Sequence, residues 1–275
     1  MSQRKNKSRY QEEKIMNFIN YDYTDLKSKV RQVEGFGSYL IVDNFIEYEF
    51  FKKLNKDLLP IKKEWKKYCK HISEGEIGNG QDRTIGGGGS QIDKFKSITN
   101  TSDCWKDFIE TMYSEQFKRM VFDIWEDTEL YESLCKDYRA SAMSCKISMQ
   151  TNDYGWPIHQ DSNWKVISFL LYLDNVGWDD SSSGGTDLYR VSDNQISWNT
   201  NENSMDYQMR KGQFSRRLAS LNVNHVDYLQ KIESIKFKPN RLVGFIKTDV
   251  SYHSIPPRKL PNGITRDCFQ INVKK

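Results

Sequence analysis

The second half of the chain breaks into short apolar runs of strand length, each closed by Gly, Pro, Asn or Asp. These runs lie at 146–151, 164–174, 186–191, 235–237, 242–247 and 265–273. Short strands at turn spacing cannot bury themselves singly, so residues 140–275 predict a sandwich or jelly roll. The run 165–173 sharpens this expectation. On an extended chain Ile167, Phe169, Leu171 and Leu173 share one face, and Val166, Ser168, Leu170 and Tyr172 share the other. The first face is uniformly apolar and suits packing on a further layer. The second mixes polar and apolar groups and suits the lining of a pocket.

The first half has a different period. Residues 38–42 form a short apolar strand, and Asp43-Asn44 supplies a turn and a cap. Phe51, Leu54 and Leu58 then recur at helical spacing until Pro60 ends the pattern. Trp105, Phe108, Ile109 and Met112 make a second stripe, and Ser114 caps a helix carrying Phe117, Met120, Val121 and Ile124. There is no internal repeat and no Pro/Ser-rich linker. The expected organisation is one integrated α+β domain with a mainly β core. Residues 1–139 form a mostly helical support and 140–275 the β core. A polar insertion over 191–234 interrupts the core, with a short helix near 221–232. Its Trp198, Tyr207, Arg210, Arg216 and Arg217 suit polar or anionic ligands, and the insertion is expected to cover the site.

Composition excludes several classes. With 275 residues, 37% hydrophobic and 13% aromatic, the chain can bury a sizeable core despite a mean hydropathy of −0.76. No apolar run reaches bilayer-spanning length, and the N-terminus lacks the apolar stretch of a secretory signal, so no membrane partner is expected. A net charge of +4 is too mild to imply nucleic acid. Lys62, Lys63, Lys66, Lys67 and Lys70 read as a solvated helix face before they read as a phosphate patch. The five cysteines are scattered and no pair has C-x-x-C spacing, which fits reduced thiols in a cytoplasmic protein. The glycine run 86–89 is not followed by Gly-Lys-Ser/Thr and reads as a loop.

Chemistry concentrates in two places. Only four histidines are present, at 71, 159, 225 and 253. His159-Gln160-Asp161 places an imidazole and a carboxylate two residues apart, on one side of an extended segment. His253 ends a later strand in the same β zone. Two imidazoles and one carboxylate on one face of an ion are the facial arrangement of non-haem Fe(II) oxygenases. The plain alternatives are a turn-capping His159 and a hydrogen-bonded core His253. His71 and His225 lack partners in the sequence and read as surface or structural residues.

The ordered set around these residues resembles the 2-oxoglutarate/Fe(II)-dependent dioxygenases of the prolyl-4-hydroxylase-like branch. It comprises His159-Gln160-Asp161, Leu171-Tyr172-Leu173-Asp174-Asn175 with Trp178, and Gly184-Gly185-Thr186-Asp187-Leu188. Pro239-Asn240-Arg241-Leu242-Val243-Gly244-Phe245, His253 and Arg266 follow. Upstream, Tyr39-Leu40-Ile41-Val42-Asp43-Asn44-Phe45 before a helix is similar to the start of that domain. The resemblance implies a double-stranded β-helix (a cupin-like jelly roll) with helices on one sheet. It implies His159, Asp161 and His253 as Fe(II) ligands, and Arg266 as the partner of the distal carboxylate of the cosubstrate 2-oxoglutarate. Tyr172 and Gln270 would assist Arg266. Arg258 is its rival as anchor, and Met149 stands where animal prolyl hydroxylases carry tyrosine, with Gln150 or Lys146 as substitutes. The implied reaction consumes O2 and 2-oxoglutarate, releases succinate and CO2, and hydroxylates an unactivated C–H bond. The carboxylate of Asp161 favours hydroxylation over halogenation. A small-molecule or glycan-type substrate is expected. A peptidyl-proline or other protein side chain is the alternative, and a non-catalytic jelly-roll binding protein the rival from another class.

Overall fold

The computed structural model of the chain describes residues 17–69, 82–86, 97, 99, 101–150, 155–162, 164–173, 184–191, 229–256 and 265–275. Alternation along the strands builds two antiparallel sheets. The first runs, in spatial order, β1 (Val30–Val33), β2 (Gly37–Val42), β9 (Leu242–Ile246), β6 (Lys165–Tyr172), β11 (Arg266–Lys274), β4 (Ala142–Gln150) and β3 (Asp82–Gly86). The second runs β5 (Trp156–His159), β10 (Tyr252–Ile255), β7 (Thr186–Val191) and β8 (Leu229–Ile235). The described helices are α1 (Tyr23–Lys27), α2 (Tyr48–Cys69), α3 (Asp103–Met112), α4 (Glu115–Asp123) and α5 (Tyr131–Asp137).

The two faces of β6 separate as the alternation predicts. Ile167, Phe169, Leu171 and Leu173 join a large core with the apolar stripes of α2, α3 and α4. Leu170 and Tyr172 turn instead toward a smaller cluster between the sheets, with Leu188, Phe237, Val243, Phe245 and Cys268. Val166 departs from the expected pattern and packs with the helices. The β6–β11 register shifts at this end, between Val273 and Lys274, and breaks the strict alternation there.

Local signals explain most of the helices. The Ser102 hydroxyl accepts from the Trp105 N–H at 3.2 Å and the Ser114 hydroxyl from the Phe117 N–H at 3.1 Å, capping α3 and α4. Pro60 does not end α2, contrary to expectation. Leu54, Leu58 and Ile61 continue one buried stripe past it, so packing against the core outweighs the lost backbone bond. The helix is started by Glu47, whose carboxylate accepts from Glu49 and Phe50, while Asn44 takes a left-handed φ of 52° in the preceding turn. Lys62, Lys63, Lys66 and Lys67 fall on its last turns, and Lys70 lies outside the described residues.

Other strands were not anticipated. The N-terminal half contributes β1 and β3 as well as β2, so it supplies part of the large sheet and not only helices. Gly86 ends β3 instead of starting a loop. Residues 229–232 are strand in β8, which corrects the helix expected near 221–232. The remainder of that insertion, with Trp198, Tyr207, Arg210, Arg216 and Arg217, lies outside the described residues. Among the described residues no helix is long and apolar enough to cross a membrane. Cys104, Cys135, Cys145 and Cys268 are free thiols, as their spacing suggests.

One ion pair ties the end of β2 to the turn before β9. Arg241 grips Asp43 through Nε at 2.5 Å and Nη2 at 3.1 Å, and Lys238 adds a contact at 2.9 Å. The Arg241 guanidinium holds the Asp43 carboxyl below its usual value of 3.8, with burial opposing and Lys238 assisting. A depressed carboxyl pKa contributes stability above the unfolded value and loses it as pH falls through the folded one. Asp43→Asn is expected to cost about 1 kcal/mol at pH 7, the exposed-pair range. In urea melts against pH, the gap from the parent protein should close below about pH 4.

Candidate metal centre

The pairing of β10 with β5 sets His253 directly opposite His159. Their ring centroids lie 4.2 Å apart. Asp161 follows two residues after His159, beyond the end of β5, and turns its carboxylate to the same place. One donor atom from each of His159, Asp161 and His253 falls within 4.8 Å of the others, and all three side chains are buried. Among the described residues no other group of three His, Cys, Asp or Glu side chains converges in this way.

The carboxylate is held from both sides. Lys165 Nζ donates to Oδ1 at 2.5 Å and Ser168 Oγ to Oδ2 at 2.6 Å. Burial alone would push the Asp161 carboxyl up. That is the largest single influence, but the Lys165 ammonium, His253 and His159 together outweigh it, and the group stays ionised well below the usual carboxylate range. Burial lowers the pKa of His253, opposed by Asp161, and favours a neutral imidazole. Its Nδ1 lies 3.3 Å from the Ser251 carbonyl, an acceptor, which leaves Nε2 with the lone pair. Phe245 packs on the same ring at 4.7 Å and closes its apolar side. Two imidazoles and one carboxylate match the donor set of a divalent transition metal.

Arg266 occupies the other end of the same face. The inward side of β11 carries Arg266, Cys268, Gln270 and Asn272 in alternation. Asn272 meets Ser168, and through it Asp161, so Cys268 and Gln270 lie between the histidine–aspartate cluster and Arg266. The Arg266 side chain is buried. Its Nη1 donates to Gln150 Oε1 at 2.6 Å, and Nε and Nη2 donate to the carbonyls of Gly184 and Gly185. Gly185 is itself required by the β8 backbone beside it: a Cβ there would stand 1.6 Å from the Ile235 carbonyl oxygen. The guanidinium also sits 5.2 Å from the centre of the Tyr172 ring, which itself stacks on Phe237 at 4.7 Å. Among the described residues no carboxylate pairs with Arg266. The Tyr172 hydroxyl is bonded to Thr186 Oγ1 at 2.7 Å. Gln270 is half-buried and donates to Ser148 Oγ at 3.2 Å.

All six residues singled out in the sequence thus lie on one face or its covering strands, with Gln270 between the two charged ends of that face. Arg258, His71, His225, Asp174, Asn175 and Trp178 lie outside the described residues. Sequence reasoning missed Lys165, Ser168 and Thr186. The mixed face of β6 was the available signal for Ser168; nothing in the sequence marked Lys165.

No family model matches the chain, and no curated protein matches it. Solved structures do. The chain is similar to a prolyl-4-hydroxylase of Pseudomonas putida, at 11% identity and a TM-score of 0.46, covering 86% of this chain and 92% of that one. It is similar to the dioxygenase for auxin oxidation 1 of Arabidopsis thaliana, in a 2-oxoglutarate binary complex. There the identity is 8% and the TM-score 0.49, over 92% of this chain and 88% of that one. A prolyl hydroxylase of Trichoplax adhaerens, in complex with a hypoxia inducible factor peptide fragment, matches at 12% identity and a TM-score of 0.41. It covers 98% of this chain and 93% of that one.

Ser168→Ala removes one donor from a buried carboxylate and leaves the other in place. The metal-free protein is expected to lose roughly 1.5–3 kcal/mol in a denaturant melt, the range for hydrogen bonds to charged groups.

Proposed function

We propose that the chain is an Fe(II)- and 2-oxoglutarate-dependent oxygenase that hydroxylates an unactivated C–H bond of a small-molecule or glycan-type substrate. One observation carries the reading. A buried two-histidine, one-aspartate cluster faces the same inter-sheet space as a buried guanidinium that has no carboxylate partner among the described residues. The two antiparallel sheets would be the halves of a double-stranded β-helix, with 1–139 as its support and 140–275 as its catalytic core.

In this reading His159, Asp161 and His253 hold the iron, which when bound supplies the activation of O2. Overall, substrate R–H, O2 and 2-oxoglutarate give R–OH, succinate and CO2. The protein's own contribution is placement. Ser168 and Lys165 keep the Asp161 carboxylate ionised and fixed in direction. The Ser251 carbonyl keeps the proton of His253 on Nδ1. Arg266 offers its planar fork to the distal carboxylate of 2-oxoglutarate, and Gln150 with the two glycine carbonyls holds that fork in place. Tyr172 shields the ion pair from water and turns its hydroxyl toward the same pocket end through Thr186. Gln270 is positioned to bond the middle of the cosubstrate. The facing sheets and the Phe237, Phe245 and Leu188 side chains keep this space dry, which strengthens each of these polar contacts.

Succinate release with Fe(II), 2-oxoglutarate and a panel of metabolites, glycans and peptides tests the reading. Turnover is expected for a member of the metabolite or glycan sets, and His159→Ala should abolish it together with stoichiometric metal binding. Arg266→Ala leaves a buried carboxylate unpaired and should weaken 2-oxoglutarate binding by about 2–5 kcal/mol, on the order of 30-fold or more. Unchanged 2-oxoglutarate affinity in Arg266→Ala, with loss in Arg258→Ala, would transfer the anchor to Arg258.

A further inference from the structure

The two sheets also meet at an edge far from the metal cluster. In the smaller sheet the outer strands are β5, which carries His159, and β8, so β8 lies on the side opposite the cluster. Ile232 and Ile235 of β8 share one apolar cluster with Val33, Tyr39 and Ile41 from the β1–β2 edge of the large sheet. Arg31 is the cross-strand partner of Tyr39 and so stands on the same inward face. Beside this contact lies a cavity of about 560 Å³, with Ile41, Val42 and Ile235 as its apolar walls. That volume is in the range of small-molecule pockets. Neither the metal cluster nor Arg266 lines it.

The charges around this cavity do not balance. Lys29, Arg31, Lys236 and Arg241 line it, against the carboxylates of Asp43 and Glu233. Four cations less two carboxylates leave an excess of two positive charges. Asp43 is already answered, by two nitrogens of Arg241 and by Lys238. Glu233 meets Arg31 in a single contact of 3.4 Å between side chains that are 31% and 60% exposed. A pair of that kind is worth little. Among the described residues neither Lys29 nor Lys236 is paired with a carboxylate. A lone exposed lysine is ordinarily a solvated one. These two differ by their place: one comes from the large sheet and one from the end of β8, on a single cavity of ligand size with apolar walls.

We infer that this cavity is a second ligand site, for a small phosphate monoester. The phosphate lies among Lys29, Arg31 and Lys236, and the organic body covers Ile41, Val42 and Ile235. A phosphate monoester carries close to two negative charges at pH 7, which matches the excess. Its compact head offers several acceptor oxygens to ammonium and guanidinium donors. A neutral ligand would leave those cations unanswered, and inorganic phosphate would leave the apolar walls in water. The site needs no metal and stands independently of the oxygenase reading.

Calorimetric titration of the full chain at low ionic strength, with phenyl phosphate as probe, tests this. Wild-type protein should bind phenyl phosphate more tightly than inorganic phosphate, and should not bind phenol. Lys29→Met and Lys236→Met should each weaken binding roughly threefold to fivefold, the range of an exposed charge pair, and the double variant by about tenfold or more. Both lysines are exposed, so these variants keep the parent fold. Glu233→Gln removes a carboxylate from the cavity and should strengthen binding. Lys106→Met, on α3 behind the large sheet, should leave it unchanged. Saturating 2-oxoglutarate should leave it unchanged as well. Absence of phenyl phosphate binding overturns the proposal. An equal loss in Lys106→Met and Lys29→Met also overturns it, by assigning the binding to the overall positive charge of the chain. Displacement of the probe by 2-oxoglutarate overturns it too, by placing the probe at the Arg266 end. Each of these outcomes leaves the metal cluster standing.

Discussion

Everything at the candidate centre depends on one cross-strand pair. His253 on β10 faces His159 on β5 in register, and that pairing brings the two imidazoles together. The pair is a matter of strand order in the smaller sheet, β5-β10-β7-β8, which brings segments far apart in sequence side by side. The pairing ends in an irregularity after His253, with Ile255 opposite Trp156. Local disruption of this kind frees a side chain from the regular sheet direction. Asp161 then completes the cluster from just beyond β5, where the chain is no longer bound by the ladder and the carboxylate can reach Lys165 and Ser168 of the other sheet.

Burying so much charge is expensive unless every group is answered. The protein answers it in two different ways. Around Asp161 the answer is internal: an ammonium, a hydroxyl and two imidazoles surround one carboxylate. Around Arg266 it is partial. One amide oxygen, two backbone carbonyls and an aromatic face solvate the guanidinium, but none of them carries a full negative charge. That difference gives the face a direction. One end suits a cation and the other an anion, with Cys268 and Gln270 between them on the same strand.

The sequence was most legible where a single period governed a segment. Alternation in 165–173 separated the helix-facing Ile167, Phe169 and Leu171 from the inward Leu170 and Tyr172, and Ser114 located the start of α4. Legibility failed where tertiary packing overrode a local rule. Pro60 sits inside α2 because Ile61 beyond it has a buried place to occupy. Val166 turned to the helices because a register shift lies beside it. The strands β1, β3 and β8 are partly polar edge or near-edge strands, whose pairing comes from their neighbours and not from an apolar pattern of their own. At the site, His159, Asp161, His253 and Arg266 were readable as residue types in a plausible order. Of the groups that hold them, only Gln150 was named for the site in the sequence, and Lys165, Ser168 and Thr186 act through contacts made only on folding.

The central claim is that these three side chains form one metal site. Anomalous diffraction at the iron edge, from crystals of the full chain grown with Fe(II) and 2-oxoglutarate without oxygen, addresses it directly. The account predicts a single strong peak bonded to His159, Asp161 and His253. The distal carboxylate of 2-oxoglutarate should lie against Arg266. A peak bonded to other residues, or none at full metal loading, would contradict it.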